Sequence, residues 1–381
     1  MALLQWMAIG YSAMGRSFAY IGLWPIKLFI GEIVLACALV ARRDALESAL
    51  LDRPYSQPAA WVRALMVVFG VYGVITLVRG LAQSHPTMEA LQTFAFNYYA
   101  IYLLLGIWAA TRDPQLLPRL AVLLAWVHGI YGVLYVAVLN RLGWAFPFTN
   151  QTEPYLFGQP AGSALAMLLV LCFERNLRRA IWPLLLNLVT LLAVQVRAEW
   201  VGFGAAVMVW AVLTGQIKRF AMLAGIALAL LSIATVLDLR IPGIEGRGGE
   251  VSVRGVVGRL VASVSPELGA QFIEDADTLR GTVTWRQHWW AEIWADNQRG
   301  ADATFFLGHG YGFELRGLVT YVEEGTRTPH NVWLFALGYG GWLGLITFTA
   351  FQFSLLRAAI WVWRRGGGAV GGRTRPPVDN P

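Results

Sequence analysis

Three side chains stand where polar chain meets apolar chain, and their types are those of phosphate and proton chemistry. His330 lies in RTPHNVWLFALGYGGWLGLITF (327–348), where a long polar segment ends and an apolar run begins. An imidazole titrates near neutral pH, which makes it a candidate for proton transfer. Asn331 follows directly and is suited to accept from the free amides of a helix start, so a plain capping role for His330 and Asn331 stands as the alternative. Arg197 lies in VQVRAEW between two closely spaced apolar runs, with Glu199 two residues on, and Arg286 lies in TWRQHWWAEIWADN. A guanidinium meets phosphate oxygens through two parallel hydrogen bonds, so Arg197 and Arg286 together are a candidate diphosphate clamp. The competing readings are an ion pair of Arg197 with Glu199 or another carboxylate, and an Arg286 that merely snorkels to lipid phosphate.

Around these lie weaker signals. Trp285, Arg286, Trp289, Trp290, Ile293 and Trp294 recur at helical spacings and predict a short helix at headgroup level. In FFLGHGYGFEL, Gly308, Gly310 and Gly312 let the backbone turn tightly or approach a ligand; no strand and helix flank them as in a dinucleotide fold. Asn150, Gln151 and Glu153 sit among aromatics in the 140–158 loop, a composition that suits sugar stacking and equally an ordinary capping loop. Glu32, inside an apolar run, needs a partner; Lys27 is poorly spaced for one, which points to another helix. His288, His309 and His330 lack the spacing of a zinc site, and no metal is expected. Cys37 and Cys172 lie in apolar runs and read as small core residues.

The elements that must position these groups are membrane spans. With 57% hydrophobic and 14% charged residues and a mean hydropathy of +0.53, a soluble fold would leave too much apolar surface in water. A span needs about 20 apolar residues. About ten candidates follow: Ala2–Met14, Ile21–Val40, Ala64–Val78, Thr93–Ala110, Leu117–Leu139, Pro160–Phe173, Ile181–Val196, Val201–Thr214, Phe220–Leu237 and Val332–Trp363. The expected fold is therefore an all-α polytopic membrane protein. Its divisions are a bundle over 1–237, a large outer loop with short interfacial helices over 238–330, a final span over 331–364 and a flexible cytoplasmic tail over 365–381.

Charge sets the orientation, because Lys and Arg gather in cytoplasmic loops. With the N-terminus inside, Arg42, Arg43, Arg53, Arg63, Arg112, Arg119, Arg175, Arg178, Arg179, Lys218, Arg219, Arg364, Arg365, Arg373 and Arg375 fall inside, against Arg16, Arg79, Arg141 and Arg197 outside. The net charge of +7 is thus spread between spans rather than gathered into a nucleic-acid face. The segment 238–329 lies outside.

An outer arginine between neighbouring spans (Arg197), an outer segment carrying WRQHWWAEIW and GHGYG, then P-H-N followed by LFALGYGGWLGL, resembles the O-antigen ligase and O-antigen polymerase superfamily over about Val194 to Phe348. The resemblance implies a multi-pass glycosyltransferase of the bacterial inner membrane, working on the periplasmic side with no cofactor or metal. Its donor would be a glycan on undecaprenyl diphosphate, and its acceptor a lipid A-core sugar or a second carrier-linked glycan. His330 would be the base of an inverting transfer, with Arg197 and Arg286 on the diphosphate. Asn331, Gly308, Gly310, Glu199 and Trp289 are further candidates for substrate contact. Ligase is favoured slightly over polymerase of carrier-linked units for O-antigen or exopolysaccharide. A small-solute transporter is the reading from another class, and it calls for charged or discontinuous spans near the midplane.

Overall fold

The structure is a computed structural model that describes residues 2–366 apart from 15, 20, 24–27, 42, 45–46, 48–55, 114, 140–141, 143–159, 175, 241–250, 263–264, 273–275, 301 and 320–328. The 140–158 loop with Asn150, Gln151 and Glu153, the glycine-rich 241–250 and the tail beyond 366 therefore fall outside the described residues, save Leu142.

The chain opens with α1 (Ala2–Met14) and α2 (Arg16–Ala19). The stretch expected as one span over Ile21–Val40 is divided. A two-stranded antiparallel hairpin, β1 (Gly22–Leu23) with β2 (Leu28–Phe29), precedes a 12-residue helix, α3 (Ile30–Ala41). Glu32 marks the division. Its Oε2 accepts from the Phe29 amide at 2.9 Å, the reach-back half of a capping box in which a carboxylate in the first turn satisfies an amide at the helix start. The carboxylate thus serves its own helix start.

The helices that follow are α4 (Gln57–Ala82), α5 (Thr87–Tyr98), α6 (Ile101–Arg112), α7 (Leu116–Leu134, ending in a π-helical turn Tyr135–Leu139), α8 (Pro160–Phe173), α9 (Leu177–Val194), α10 (Arg197–Thr214) and α11 (Ile217–Val236). Local chemistry fixes their ends. Ser56 Oγ accepts from the Ala59 amide at 3.3 Å to start α4, Asn176 Oδ1 accepts from Arg178 at 3.0 Å to start α9, and Gly215 closes α10 in the left-handed region. The 238–329 segment holds α12 (Val253–Ala262), α13 (Pro266–Gly269), α14 (Ala276–Arg299), α15 (Asp302–Leu307) and a 3₁₀ turn at Leu315–Leu318, and α16 (Val332–Gly366) ends the chain.

Five helices among the described residues are long and apolar enough to cross a bilayer: Gln57–Ala82, Thr87–Ala109, Leu116–Leu139, Ile217–Val236 and Val332–Trp361. Within Thr87–Ala109, a turn at Tyr99 and Ala100 separates α5 from α6. The apolar helices Ile30–Ala41 and Gly162–Phe173 are shorter than a span. α11 buries none of its residues against protein, and Leu228, Leu230, Ile233 and Val236 face outward. A helix apolar on every side has only lipid to lie in. This is an α-helical membrane protein. Cys37 and Cys172 are free and exposed on helix surfaces, not in the core as expected.

Two compact units make up the chain, and they cut across its linear order. One comprises Met1–Arg43 and Ile107–Arg280, the other Asp44–Gly106 and Gly281–Pro381. The first is built on Val170, Ala180, Leu191, Trp200, Trp210 and Ala211, from α8, α9 and α10. In the second, Phe69 of α4, Leu104 of α6 and Phe348 and Phe351 of α16 form one core; Ala90, Trp289, Ile293, Tyr311, Leu315 and Tyr339 form another.

Within the second unit α16 is not a single rod. Gly341 has φ 60° and ψ −161°, outside any helix. Residues 332–340 fold back along residues 342–366: the Trp333 and Phe348 ring centroids are 5.1 Å apart, and a Cβ on Gly344 would lie 2.8 Å from the Ala336 carbonyl oxygen. In a straight helix Trp333 and Phe348 would be separated by about 22 Å. The run expected as one over-long final span, Val332–Trp363, is therefore a short arm and a long arm joined at Gly341. The surplus length is the short arm.

Candidate functional site

A helix broken at Gly341 leaves the last carbonyls of the short arm without their intrahelical donors. The GHGYG loop supplies them. His309 N–H donates to Gly338 O at 3.1 Å and Gly310 N–H to Tyr339 O at 2.9 Å, while Tyr72 of α4 donates its hydroxyl to Gly340 O. The same loop is tied to α4, since Tyr311 N–H donates to Thr76 O at 3.1 Å and Arg79 Nε to Gly308 O at 2.8 Å. His309 Nε2 lies 2.6 Å from Asp296 Oδ2 on α14, and its ring stacks on Phe313 at 3.9 Å.

Gly308 and Gly310, candidates for ligand contact, are taken up by this packing. Both have positive φ. A Cβ on Gly308 would lie 2.4 Å from the Tyr339 backbone and one on Gly310 2.5 Å from Gly80 N. The third glycine of the motif, Gly312, meets Ala90 and His85 in the same way. Protein backbone fills the space a ligand would need at the first two.

α14 enters the second unit through a buried stripe of Trp289, Ile293 and Asn297, each four residues from the last. Trp289 is fully buried and its indole donates to Leu315 O at 2.9 Å. It is a core anchor rather than a substrate contact, and the helix expected to be short runs for 24 residues and packs on its own unit. This anchoring fixes the helix phase, and Arg286 and Trp290, one turn apart, flank the stripe. The Arg286 guanidinium lies 5.4 Å from the Trp285 ring centroid, a cation–π distance. Its Nε is buried and finds no hydrogen-bond partner among the described residues.

His330 heads the short arm of α16. Burial, and after it the positive charge of Arg286, hold its imidazole below the usual histidine pKa. It is therefore neutral near pH 7, the state that accepts a proton. Its backbone is left-handed, φ 52°, a region that side chains other than Gly, Asn, Asp and His seldom enter and that is held only by its surroundings. Asn331 caps the arm: its Oδ1 accepts from Trp333 N–H at 3.0 Å and Leu334 N–H at 3.3 Å. That carboxamide oxygen is engaged in capping, so the capping reading holds for Asn331 while His330 projects from the turn before it. On the other side of His330, Trp290 donates its indole N–H to the Pro329 carbonyl at 2.6 Å.

Arg197 opens α10 in the first unit and Glu199 lies in the same first turn. Arg286 and His330 belong to the second unit. His288 is exposed, and no group of three His, Cys, Asp or Glu stands close enough to hold a metal ion among the described residues.

Two polar clusters escaped sequence reasoning. One is the Asp296–His309 pair, whose 13-residue separation has no helical or motif signature. The other is in the first unit, where His128 of α7 approaches the Ser12 carbonyl with Nδ1 and Ser163 Oγ at 3.0 Å with Nε2. A Cβ on Gly162 would touch that ring. A lone histidine in an apolar run gives no sign of such partners until α1, α7 and α8 are packed together.

Comparison with known protein families, with curated proteins and with solved structures finds no match.

Proposed function

We propose that this chain is a membrane glycosyltransferase that moves a glycan from undecaprenyl diphosphate to an acceptor hydroxyl at the outer face of a bacterial inner membrane. The observation that carries the reading is the coupling of Arg286 to His330 within one unit. A guanidinium with a buried, unengaged Nε stands close enough to lower the pKa of an imidazole that a capped helix start presents. The imidazole takes the proton of the acceptor hydroxyl as its oxygen attacks the anomeric carbon. The bond to the diphosphate breaks on the opposite face with inversion, and the charge gathering on the leaving oxygen is offset by Arg286. No metal is called for.

A ligase and a polymerase share this chemistry and differ in acceptor. The ligase reading, with lipid A-core as acceptor, is preferred; polymerisation of carrier-linked units is its alternative. The broken α16 would suit a transporter, whose substrate meets free backbone groups at a helix break. Here the carbonyls at the break accept from His309, Gly310 and Tyr72, which argues against that use.

The test is transfer by the purified protein from a defined lipid-linked oligosaccharide, with lipid A-core and a second carrier-linked unit offered separately. A single product on lipid A-core supports the ligase, a ladder on the carrier the polymerase. Wild-type transfer by His330→Ala would remove the base from the mechanism.

A further inference from the structure

We infer that Trp290 is a positioning residue that holds His330 against Arg286; this rests on the reading of those two as the reacting pair. The indole N–H donates to the Pro329 carbonyl at 2.6 Å, and Pro329 is buried. Proline fixes its own φ, so pinning its carbonyl fixes the direction in which the chain enters His330. The next residue then takes φ 52°, and the chain is pinned again by the Asn331 cap. The left-handed turn at His330 is held from both sides. Trp290 is four residues after Arg286, one turn along the same helix. The helix that carries the guanidinium thus also grips the lead-in to the imidazole, through one helical turn and one hydrogen bond.

The neighbouring tryptophan provides the control. Trp289 also donates its indole to a loop carbonyl, that of Leu315 at 2.9 Å, but it is fully buried in the unit's core and leads to no reacting group. Trp290→Phe keeps a ring and removes only the donor; Trp289→Phe does the same one residue away. Arg286 on α14 carries the charge that, after burial, acts on the His330 titration. Releasing Pro329 frees His330 to leave the guanidinium, and that raises its pKa.

The experiment titrates the His330 imidazole by NMR in full-length protein held in detergent micelles, and in parallel measures transfer against pH. For Trp290→Phe, the expected result is a His330 titration moved to higher pH, an acid limb of kcat moved the same way, and a lower kcat with KM little changed. Trp289→Phe lowers the melting temperature and leaves the His330 titration in place. Equal behaviour of the two variants, with neither moving the titration, overturns the inference. So does a Trp290→Phe protein that transfers with wild-type kcat at every pH. Because the titration is read without turnover, a failure of the transferase reading, seen as full activity in His330→Ala, is distinguishable from a failure of the positioning contact.

Discussion

The fold-back at Gly341 is open to a direct physical test. Alanine there places a Cβ 2.5 Å from both Gly308 N and the Phe306 carbonyl carbon, and it imposes a side chain on φ 60°, ψ −161°, a region essentially reserved for glycine that costs about 1–3 kcal/mol. Overpacking against backbone adds about 1–3 kcal/mol more. Together these reach about 2–6 kcal/mol, a large part of the roughly 5–15 kcal/mol that holds a typical domain together. The assay uses a protein in which Cys37 and Cys172 are replaced by Ala, and Trp333 and Phe348 by Cys. A thiol-to-thiol cross-linker reaching about 10 Å, the spacing of packed helices, joins the two sites in the folded-back arrangement, whereas a continuous helix holds them about 22 Å apart. Efficient cross-linking is expected, and adding Gly341→Ala should abolish it or sharply lower the melting temperature. Failure to cross-link in the Gly341 protein, with both thiols reactive, would refute the hairpin and the account of the GHGYG loop built on it.

Other outcomes follow from the same geometry. His330→Ala should retain folded protein in the membrane and lose about 10² to 10⁴ in transfer rate, the usual range for a general base, as read by product formation from a lipid-linked donor. Arg286→Met removes the positive charge that depresses the His330 pKa, so the acid limb of the transfer profile should move to higher pH; an unmoved limb would detach the two groups. Because His330 titrates lower in the folded than in the unfolded chain, the unfolded state binds the proton more readily, and stability should fall as pH drops from the ordinary histidine value through the folded one. Thermal melts of wild type and His330→Gln across that window should converge at higher pH. Asp296→Asn removes the partner of His309 and should loosen the GHGYG loop, seen as faster amide exchange at His309 and Gly310 with a smaller loss of melting temperature than Gly341→Ala.

Sequence alone settled the solvent. Composition placed the chain in a bilayer, and α11, apolar all round, needs nothing else to explain it. The ends of α1, α8, α10 and α11 fall at or within a few residues of those read from hydropathy, because capping residues and apolar runs act locally. The types of His330, Arg286 and Arg197 were legible for the same reason. Tertiary structure decided the rest. Hydropathy has no direction, so Val332–Trp363 reads as one span although the chain reverses at Gly341, where the reversal depends on Phe306 and Gly308 more than thirty residues away. Trp289 and Trp290 carry the same signal in sequence, and only the phase of α14 against its unit buries one in the core and turns the other to Pro329. Gly308 and Gly310 suggest ligand approach until the backbone of α4 and α16 is seen against them. The physical reason is common to all three: partition between water and lipid is a property of each residue, whereas close approach is a property of pairs, and chain distance does not encode it.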